Sequence, residues 1–160
     1  MAPIPVVAAG GIADGRGLAA ALALGAAGVS MGTRFLATRE SLWSQTRKEA
    51  VVAGHADNTV QSRLYDTLSD HLWPMEFPAR FLRNETSDQW ETNQAALETN
   101  AEAERARYAA IDPDDVARKL VLAGEGMDLV KDMPSAREVV ERTVAQAVAA
   151  LRGGTALLRD

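Results

Sequence analysis

The sequence predicts an α/β fold organised around one parallel strand–helix–strand unit near the N-terminus. Residues 6–9 are apolar at every position, which is typical of a parallel strand covered on both faces. Residues 28–31 are predicted to form the second strand, after a segment with helical spacing. A crossover of this length makes the two strands parallel and adjacent, with a right-handed connection. The turns that follow the two strands are therefore expected at the same edge of the sheet, where α/β proteins bind ligands.

Both of these turns contain glycine. Gly10 and Gly11 end the first strand, and Gly32 and Thr33 end the second. Glycine permits positive φ and a close approach of backbone amides, whose partial positive charge suits a phosphate oxygen. Neither a Gly-Lys-Ser/Thr loop nor a G-x-G-x-x-G pattern is present. The spacing thus fits an anion site shared by the two turns, and it fits equally well two turns that only connect strands.

Local signals predict the other elements of the N-terminal third. Asp14 is a suitable N-cap for a helix through Leu24, which Gly25 ends. A short helical turn is expected at residues 34–37. Ser41 is expected to cap a further helix through about Ala53, with Gly54 as its stop, because apolar residues recur there at helical spacing.

The rest of the chain is predicted to be mainly helical. Residues 59–65 are β-prone, and residues 79–83 are suited to an edge strand. Propensity favours an acidic surface helix within residues 92–110, and an acidic docking face is the alternative there. Asp112 and Pro113 are typical of a helix start, with an apolar face extending to about Val121. A capping box at Ser135 and Glu138 begins an amphipathic helix that is expected to end at Gly153 and Gly154.

Composition narrows the classes of function. The net charge of −5 argues against a nucleic-acid partner, and the absence of cysteine excludes disulfides and thiolate sites. The chain shows neither a leader nor a long apolar span, so we expect a cytoplasmic protein without a membrane partner. His55 and His71 lack the spacing of a metal-binding pair. We expect His55 to sit at a helix C-terminus, and we expect the tryptophans to be packing residues, namely Trp43, Trp73 and Trp90.

The glycine turns and their flanks resemble the phosphate-binding end of the flavin-dependent nitronate monooxygenases, once called 2-nitropropane dioxygenases. The matching sequence segments are AAGGIADGR at residues 8–16 and MGTRFLAT at residues 31–38. PARFLRN at residues 78–84 and AGEG at residues 123–126 are also similar. Flavin-dependent enoyl-acyl carrier protein reductases have almost the same sequence segments, so the alternative that this chain is a relative of those enzymes stays open.

The resemblance implies FMN as the cofactor and the C-terminal portion of a (β/α)8 TIM-type barrel as the fold. Because a complete barrel takes about 250 residues, we expect an incomplete barrel, namely its last two βα units followed by additional C-terminal helices. We expect one incomplete FMN-binding domain in three parts. Residues 1–54 form the phosphate-binding segment, residues 55–111 a segment of loops, short strands and acidic surface, and residues 112–160 the C-terminal helices.

The resemblance also implies where the cofactor is bound. The contacts are expected to come mostly from backbone amides of the two turns and of the AGEG loop, at Ala9, Gly10, Gly11, Met31, Gly32, Thr33, Gly124, Glu125 and Gly126. An ordinary loop between helices is the alternative for residues 124–126, where Asp128 replaces a small residue of the family pattern. Arg34 is expected to form a structural salt bridge.

The activity that the resemblance implies is oxidation of alkyl nitronates with O₂. The histidine base of that family corresponds to no residue of this sequence, so no catalytic residue is assigned. We expect the chain to supply the FMN phosphate site for a small nitro or nitronate substrate. A non-catalytic remnant, or a half-barrel completed by a separate N-terminal half or by self-association, is the remaining hypothesis.

Overall fold

The computed structural model describes residues 4–70, 74 and 76–156, and this part of the chain has a mixed α/β fold. The strands and α-helices, in chain order, are β1 Val7–Ala9, α1 Gly15–Ala23, β2 Gly28–Ser30, α2 Thr33–Leu36, α3 Gln45–Ala53, β3 Thr59–Ser62, α4 Leu64–Ser69, β4 Ala79–Leu82, α5 Glu85–Trp90, α6 Gln94–Thr99, α7 Ala101–Ala109 and α8 Ala136–Ala156. Two 3-10 helices, Ala56–Asn58 and Glu125–Leu129, complete the set. His71 and Trp73 lie outside the described residues. None of the helices just given combines the length and hydropathy needed to cross a membrane.

The predicted parallel unit is confirmed. β1 and β2 form a two-stranded parallel sheet in which Val7 faces Gly28 and Ala9 faces Ser30. α1 begins where Asp14 accepts hydrogen bonds from the amides of the two residues that follow Gly15, each at 3.0 Å. The expected burial of β1 on both faces is wrong, because Val7 in this strand is 58% exposed to solvent.

α8 covers α1 and holds it against the rest of the fold. The contact is tight at Gly15, where an added Cβ would lie 2.3 Å from the carbonyl oxygen of Thr143. The predicted capping box is present, since the Glu138 amide donates to Ser135 Oγ and the Ser135 amide donates to the Glu138 carboxylate. The predicted end at Gly153 and Gly154 is wrong, because α8 continues through both glycines to Ala156.

The middle of the chain differs from prediction at helix starts. Ser44, not Ser41, caps α3, and the Ser41 hydroxyl accepts instead from the amide of Trp43. Gly54 ends α3 as predicted. The predicted strand at residues 79–83 is confirmed as β4, which pairs antiparallel with β3. Its expected place at an edge is wrong, because Phe81 also bridges to Leu122 on the other side. The β-prone segment forms β3 only as far as Ser62 and then turns into α4. The acidic segment contains α6 and α7, divided at Asn100, and the sequence did not predict α5.

The predicted helix beginning at Asp112 is wrong. This segment forms turns instead, closed by hydrogen bonds such as that from the Asp115 amide to the Asp112 carbonyl. The chain then runs beside β4, where Leu122 makes an antiparallel bridge to Phe81 and the Leu82 amide donates to the Val121 carbonyl. Tertiary pairing with β4 therefore replaces the expected helix.

Two apolar cores support these elements. One lies beneath the glycine segments and contains Ala13, Ala37, Val51, Leu82, Val121, Ala123, Met127 and Val130. The other lies between α4, β4 and α6 and contains Leu64, Tyr65, Leu68, Phe81 and Leu97. As predicted, Trp43 packs against the first core and Trp90 against the second.

Candidate functional site

The first glycine turn has a backbone that only glycine adopts readily. Gly10 has φ of +94° and Gly11 has φ of +68°, and both lie in the left-handed region. An added Cβ at either residue would meet no atom within 4 Å. The turn thus leaves open space next to its backbone, as a ligand-binding turn requires.

The helix that follows this turn is capped by the protein itself. The Gly15 amide donates to Gln146 Oε1 at 3.0 Å, and the next two amides donate to the Asp14 carboxylate. These groups are the ones that a helix start offers to an anion. An anion at the first turn must consequently be bound by the amides of the turn, since those at the start of α1 are occupied.

The second glycine turn leads into α2 without a side-chain cap. Gly32 is the N-cap residue, with φ of −85°, and no side chain of the described residues caps the first amides of the helix. The Thr33 hydroxyl oxygen accepts a hydrogen bond from the Gly124 amide at 2.8 Å. Because a hydroxyl group both accepts and donates, its own proton remains available for an acceptor such as a phosphate oxygen.

The third segment, residues 124–126, connects the two turns. Gly124 contacts the second turn through Thr33, and the buried Gly126 packs on the backbone of the first. An added Cβ at Gly126 would lie 2.7 Å from the carbonyl oxygen of Gly11 and 2.9 Å from its carbonyl carbon. Three segments far apart in sequence are thereby brought together. The sequence reveals the adjacency of the first two turns from topology, but it shows the third only through its resemblance to the family.

Glu125 presents a carboxylate at this loop, and its counter-ion is Arg80. Arg80 Nη2 lies 3.0 Å from Glu125 Oε1, and Arg80 Nη1 donates to Thr59 Oγ1 at 3.1 Å. The guanidinium offsets the negative charge beside the glycine turns and so lowers the repulsion of an anion there. Sequence reasoning did not single out Arg80, because its pairing with Glu125 depends on where β4 lies.

The expected salt bridge of Arg34 is confirmed. Arg34 is buried and its Nη1 lies 3.0 Å from Asp132 Oδ1. Arg142 binds the other carboxylate oxygen of Asp132. The hydrogen bond from Arg142, together with the charge of Arg34, holds the pKa of Asp132 below its ordinary value.

His55 and Asp128 contact each other at the start of the 3-10 helix Ala56–Asn58. His55 Nδ1 lies 3.5 Å from Asp128 Oδ1, and the same oxygen accepts from the Ala56 amide at 3.0 Å. Asp128 thus supports the start of the 3-10 helix Ala56–Asn58, which accounts for an acid where a small residue was expected. No cluster of three or more metal-ligating His, Cys, Asp or Glu side chains occurs within the described residues.

A family model and several known proteins are similar to most of this chain. The model of the nitronate monooxygenase protein family matches residues 1–146. The nitronate monooxygenase npaC of Metarhizium robertsii is 40% identical in an alignment of 157 positions that covers 92% of this chain and 43% of that protein. A solved structure of nitroalkane oxidase from Streptomyces ansochromogenes is 31% identical with a TM-score of 0.73, covering 96% of this chain and 41% of that one.

A further relative matches a shorter stretch at higher identity. It is the (3aS,4S,5R,7aS)-5-hydroxy-7a-methyl-1-oxo-octahydro-1H-indene-4-carboxyl-CoA dehydrogenase of Rhodococcus jostii, 60% identical over 63 residues, which are 39% of this chain and 18% of that protein. The chain thus spans less than half the length of each of these relatives.

Proposed function

This chain belongs to the nitronate monooxygenase family, and we propose that it supplies the FMN phosphate site of an oxidoreductase that acts on alkyl nitronates. The observation that carries the proposal is the meeting of three glycine segments, with Gly126 packed on Gly11 and Gly124 bonded to Thr33. In this proposal β1, α1 and β2 belong to the last two βα units of a TIM-type barrel, and the first turn and the second turn share one edge of it.

The residues present fit a phosphomonoester. Open space lies next to Gly10 and Gly11, α2 starts without a side-chain cap, and the Thr33 hydroxyl can donate a proton. A phosphate dianion accepts several such hydrogen bonds at once, and each is strengthened by its charge. We assign the phosphate contacts to Gly10, Gly11, Gly32 and Thr33, and the nearby backbone contacts to Ala9, Met31, Gly124, Glu125 and Gly126.

When bound, the flavin supplies the redox chemistry by which an alkyl nitronate and O₂ give a carbonyl compound and nitrite. The residues of this chain bind the phosphate and so fix the position of the cofactor. No residue of this chain is assigned as a base. An alkyl nitronate needs none, because it has already lost the α-proton that a base would remove from a neutral nitroalkane.

The phosphate site predicts a preference for FMN over riboflavin, which lacks the phosphate. Titration of the 160-residue chain with each flavin, followed by flavin fluorescence, is expected to show FMN binding at least about 10-fold tighter. Gly10→Asp is expected to abolish this preference because it places a carboxylate beside the anion. Gly25→Asp is the matched control, since Gly25 has the same φ of +94° and also meets no atom within 4 Å. It should retain the preference.

Either of two results would contradict the phosphate site. Equal affinity of the wild-type chain for FMN and riboflavin would mean that the phosphate is not recognised. Equal losses in Gly10→Asp and Gly25→Asp would mean that backbone strain, and not charge at the turn, causes the effect.

The redox activity is tested in a chimera in which residues 1–146 replace the matching part of the Metarhizium nitronate monooxygenase. We expect this chimera to retain FMN and to consume O₂ with propyl-2-nitronate. The same chimera with Gly10→Asp should lose FMN and at least about 90% of the rate, corresponding to about 1.4 kcal/mol. The proposal would be contradicted if the chimera bound the same amount of FMN with aspartate at position 10 as with glycine.

A thioester substrate is the second candidate, as in the enoyl-acyl carrier protein reductases and as favoured by the local identity to the coenzyme A thioester dehydrogenase. Addition of crotonyl-coenzyme A to the FMN-loaded chain discriminates between the two. A saturable change in the flavin absorbance spectrum would support the thioester, whereas the nitronate proposal expects the spectrum to be unchanged.

A further inference from the structure

α2, which carries the second glycine turn, is too short to be stable by itself. It has four residues, and helices below about 12 residues are marginal in water. Its first amides belong to the proposed phosphate site. The orientation of those amides is therefore determined by the groups that hold α2 in place.

Arg34 makes the nearest such contacts. Its side chain is 7% exposed and ties α2 to a segment 98 residues away in sequence. Nη1 donates to Asp132 Oδ1 at 3.0 Å, and Nη2 donates to the Asp132 carbonyl oxygen at 2.6 Å and to the Ala37 carbonyl oxygen at 3.2 Å. One planar group thus spans α2 from its first turn to its C-cap and fixes both to Asp132.

The segment that contains Asp132 also includes the third glycine loop, residues 124–126, which contacts α2 as well. Asp132 follows the 3-10 helix Glu125–Leu129, whose N-cap residue Gly124 is bonded to Thr33. Thr33 and Arg34 are neighbours in α2 but make separate connections to this segment. Two connections from adjacent residues restrain rotation of α2, which a single connection would permit.

We propose that Arg34 is a positioning residue for the phosphate site, acting through Asp132 to aim the Gly32 and Thr33 groups at the ligand. This inference rests on the proposed phosphate site and deepens it. Arg34 itself is not proposed to touch the phosphate, because its guanidinium nitrogens Nη1 and Nη2 are already bonded to Asp132 and Ala37.

The test measures the ratio of FMN affinity to riboflavin affinity in variants of the 160-residue chain. A purely structural role would lower both affinities together, whereas misplacement of α2 lowers only the phosphate contribution. We expect Arg34→Met to reduce the ratio at least about 10-fold. Arg34→Lys should restore it only in part, since an ammonium cannot make the planar set of bonds. Asp132→Asn, which keeps the carbonyl contact and removes the charge, should give a smaller reduction than Arg34→Met.

Arg39→Met is the matched control. Arg39 Nη2 lies 2.6 Å from Glu138 Oε2, so this ion pair joins the residues after α2 to the first turn of α8, but it is largely exposed. We expect the ratio to be unchanged in Arg39→Met. Hydrogen exchange provides a second measurement, in which Arg34→Met should lose protection at residues 33–37 while α8 keeps it.

The possible failures can be told apart. A wild-type chain without a preference for FMN would contradict the phosphate site, and the positioning role with it. A wild-type preference that persists in Arg34→Met would overturn the positioning role alone. Equal reductions in Arg34→Met and Arg39→Met would also overturn it, because they would show that the loss of any ion pair near α2 has the same effect.

Discussion

Replacing Gly126 with alanine is expected to weaken FMN binding at least about 10-fold, more than any other single methyl group added near the site. The added Cβ would lie 2.7 Å from the Gly11 carbonyl oxygen and 2.9 Å from its carbon. Both atoms are backbone, so they cannot move aside as the end of a side chain does. The loop at residues 124–126 and the first turn must therefore separate, and the proposed phosphate contacts on Gly11 and Thr33 are expected to lose their spacing.

Gly54→Ala separates this effect from a loss of stability. Its Cβ would lie 2.5 Å from Met127 Cε and 3.0 Å from Leu82 Cδ2, in the core beneath the glycine segments. We expect Gly54→Ala to lower the thermal midpoint but to keep the preference for FMN over riboflavin. If Gly126→Ala kept that preference as well, the close contact between Gly126 and Gly11 would have no part in phosphate binding.

Local signals predicted the elements whose stability is decided within a few residues. Asp14 and Ser135 were identified as helix starts because the bonds that cap these helices span only two or three residues. The parallel pairing of β1 and β2 was predictable for a similar reason, since a short crossover permits few arrangements.

The errors occur where distant contacts decide the structure. The segment after Asp112 has helix-start residues, but the Val121 carbonyl and the Ala123 amide bond to β4, which an α-helix would prevent. Gly153 and Gly154 favour a helix end only weakly, by about 1 kcal/mol each, and α8 continues through them. The choice of Ser44 over Ser41 as the cap of α3 also depends on packing that the sequence does not specify.

The candidate site divides in the same way. Gly10, Gly11, Gly32 and Thr33 were predicted from their place after two parallel strands, and the structure brings the two turns into contact with one loop. The position of that loop depends on contacts between Gly126 and Gly11 and between Gly124 and Thr33, the latter pair 91 residues apart. The roles of Arg80 and Asp132 also depend on pairs that are distant in sequence, Arg80 with Glu125 and Asp132 with Arg34. No local pattern predicts such pairs.

Replacing Gly15 with alanine is expected to destabilise the fold by about 3 kcal/mol, the upper part of the range for overpacked sites. An added Cβ would lie 2.3 Å from the Thr143 carbonyl oxygen, 2.4 Å from Gln146 Cβ and 2.5 Å from the Ala147 amide nitrogen. α1 and α8 would have to move apart, and the Gly15 amide would lose its bond to Gln146 Oε1. For a chain of this size the thermal midpoint should fall by roughly 6–12 °C.

Gly153→Ala makes the same substitution in α8 at a place where the added Cβ meets no atom within 4 Å. Alanine favours helix over glycine by about 1 kcal/mol, so this variant is expected to raise the thermal midpoint slightly. Since Gly15 is also helical, propensity alone would make Gly15→Ala stabilising as well. The sign of its effect therefore decides whether close packing of α1 on α8 outweighs helix propensity, and a midpoint that rose in both variants would show that the two helices do not pack as closely as the structure has them.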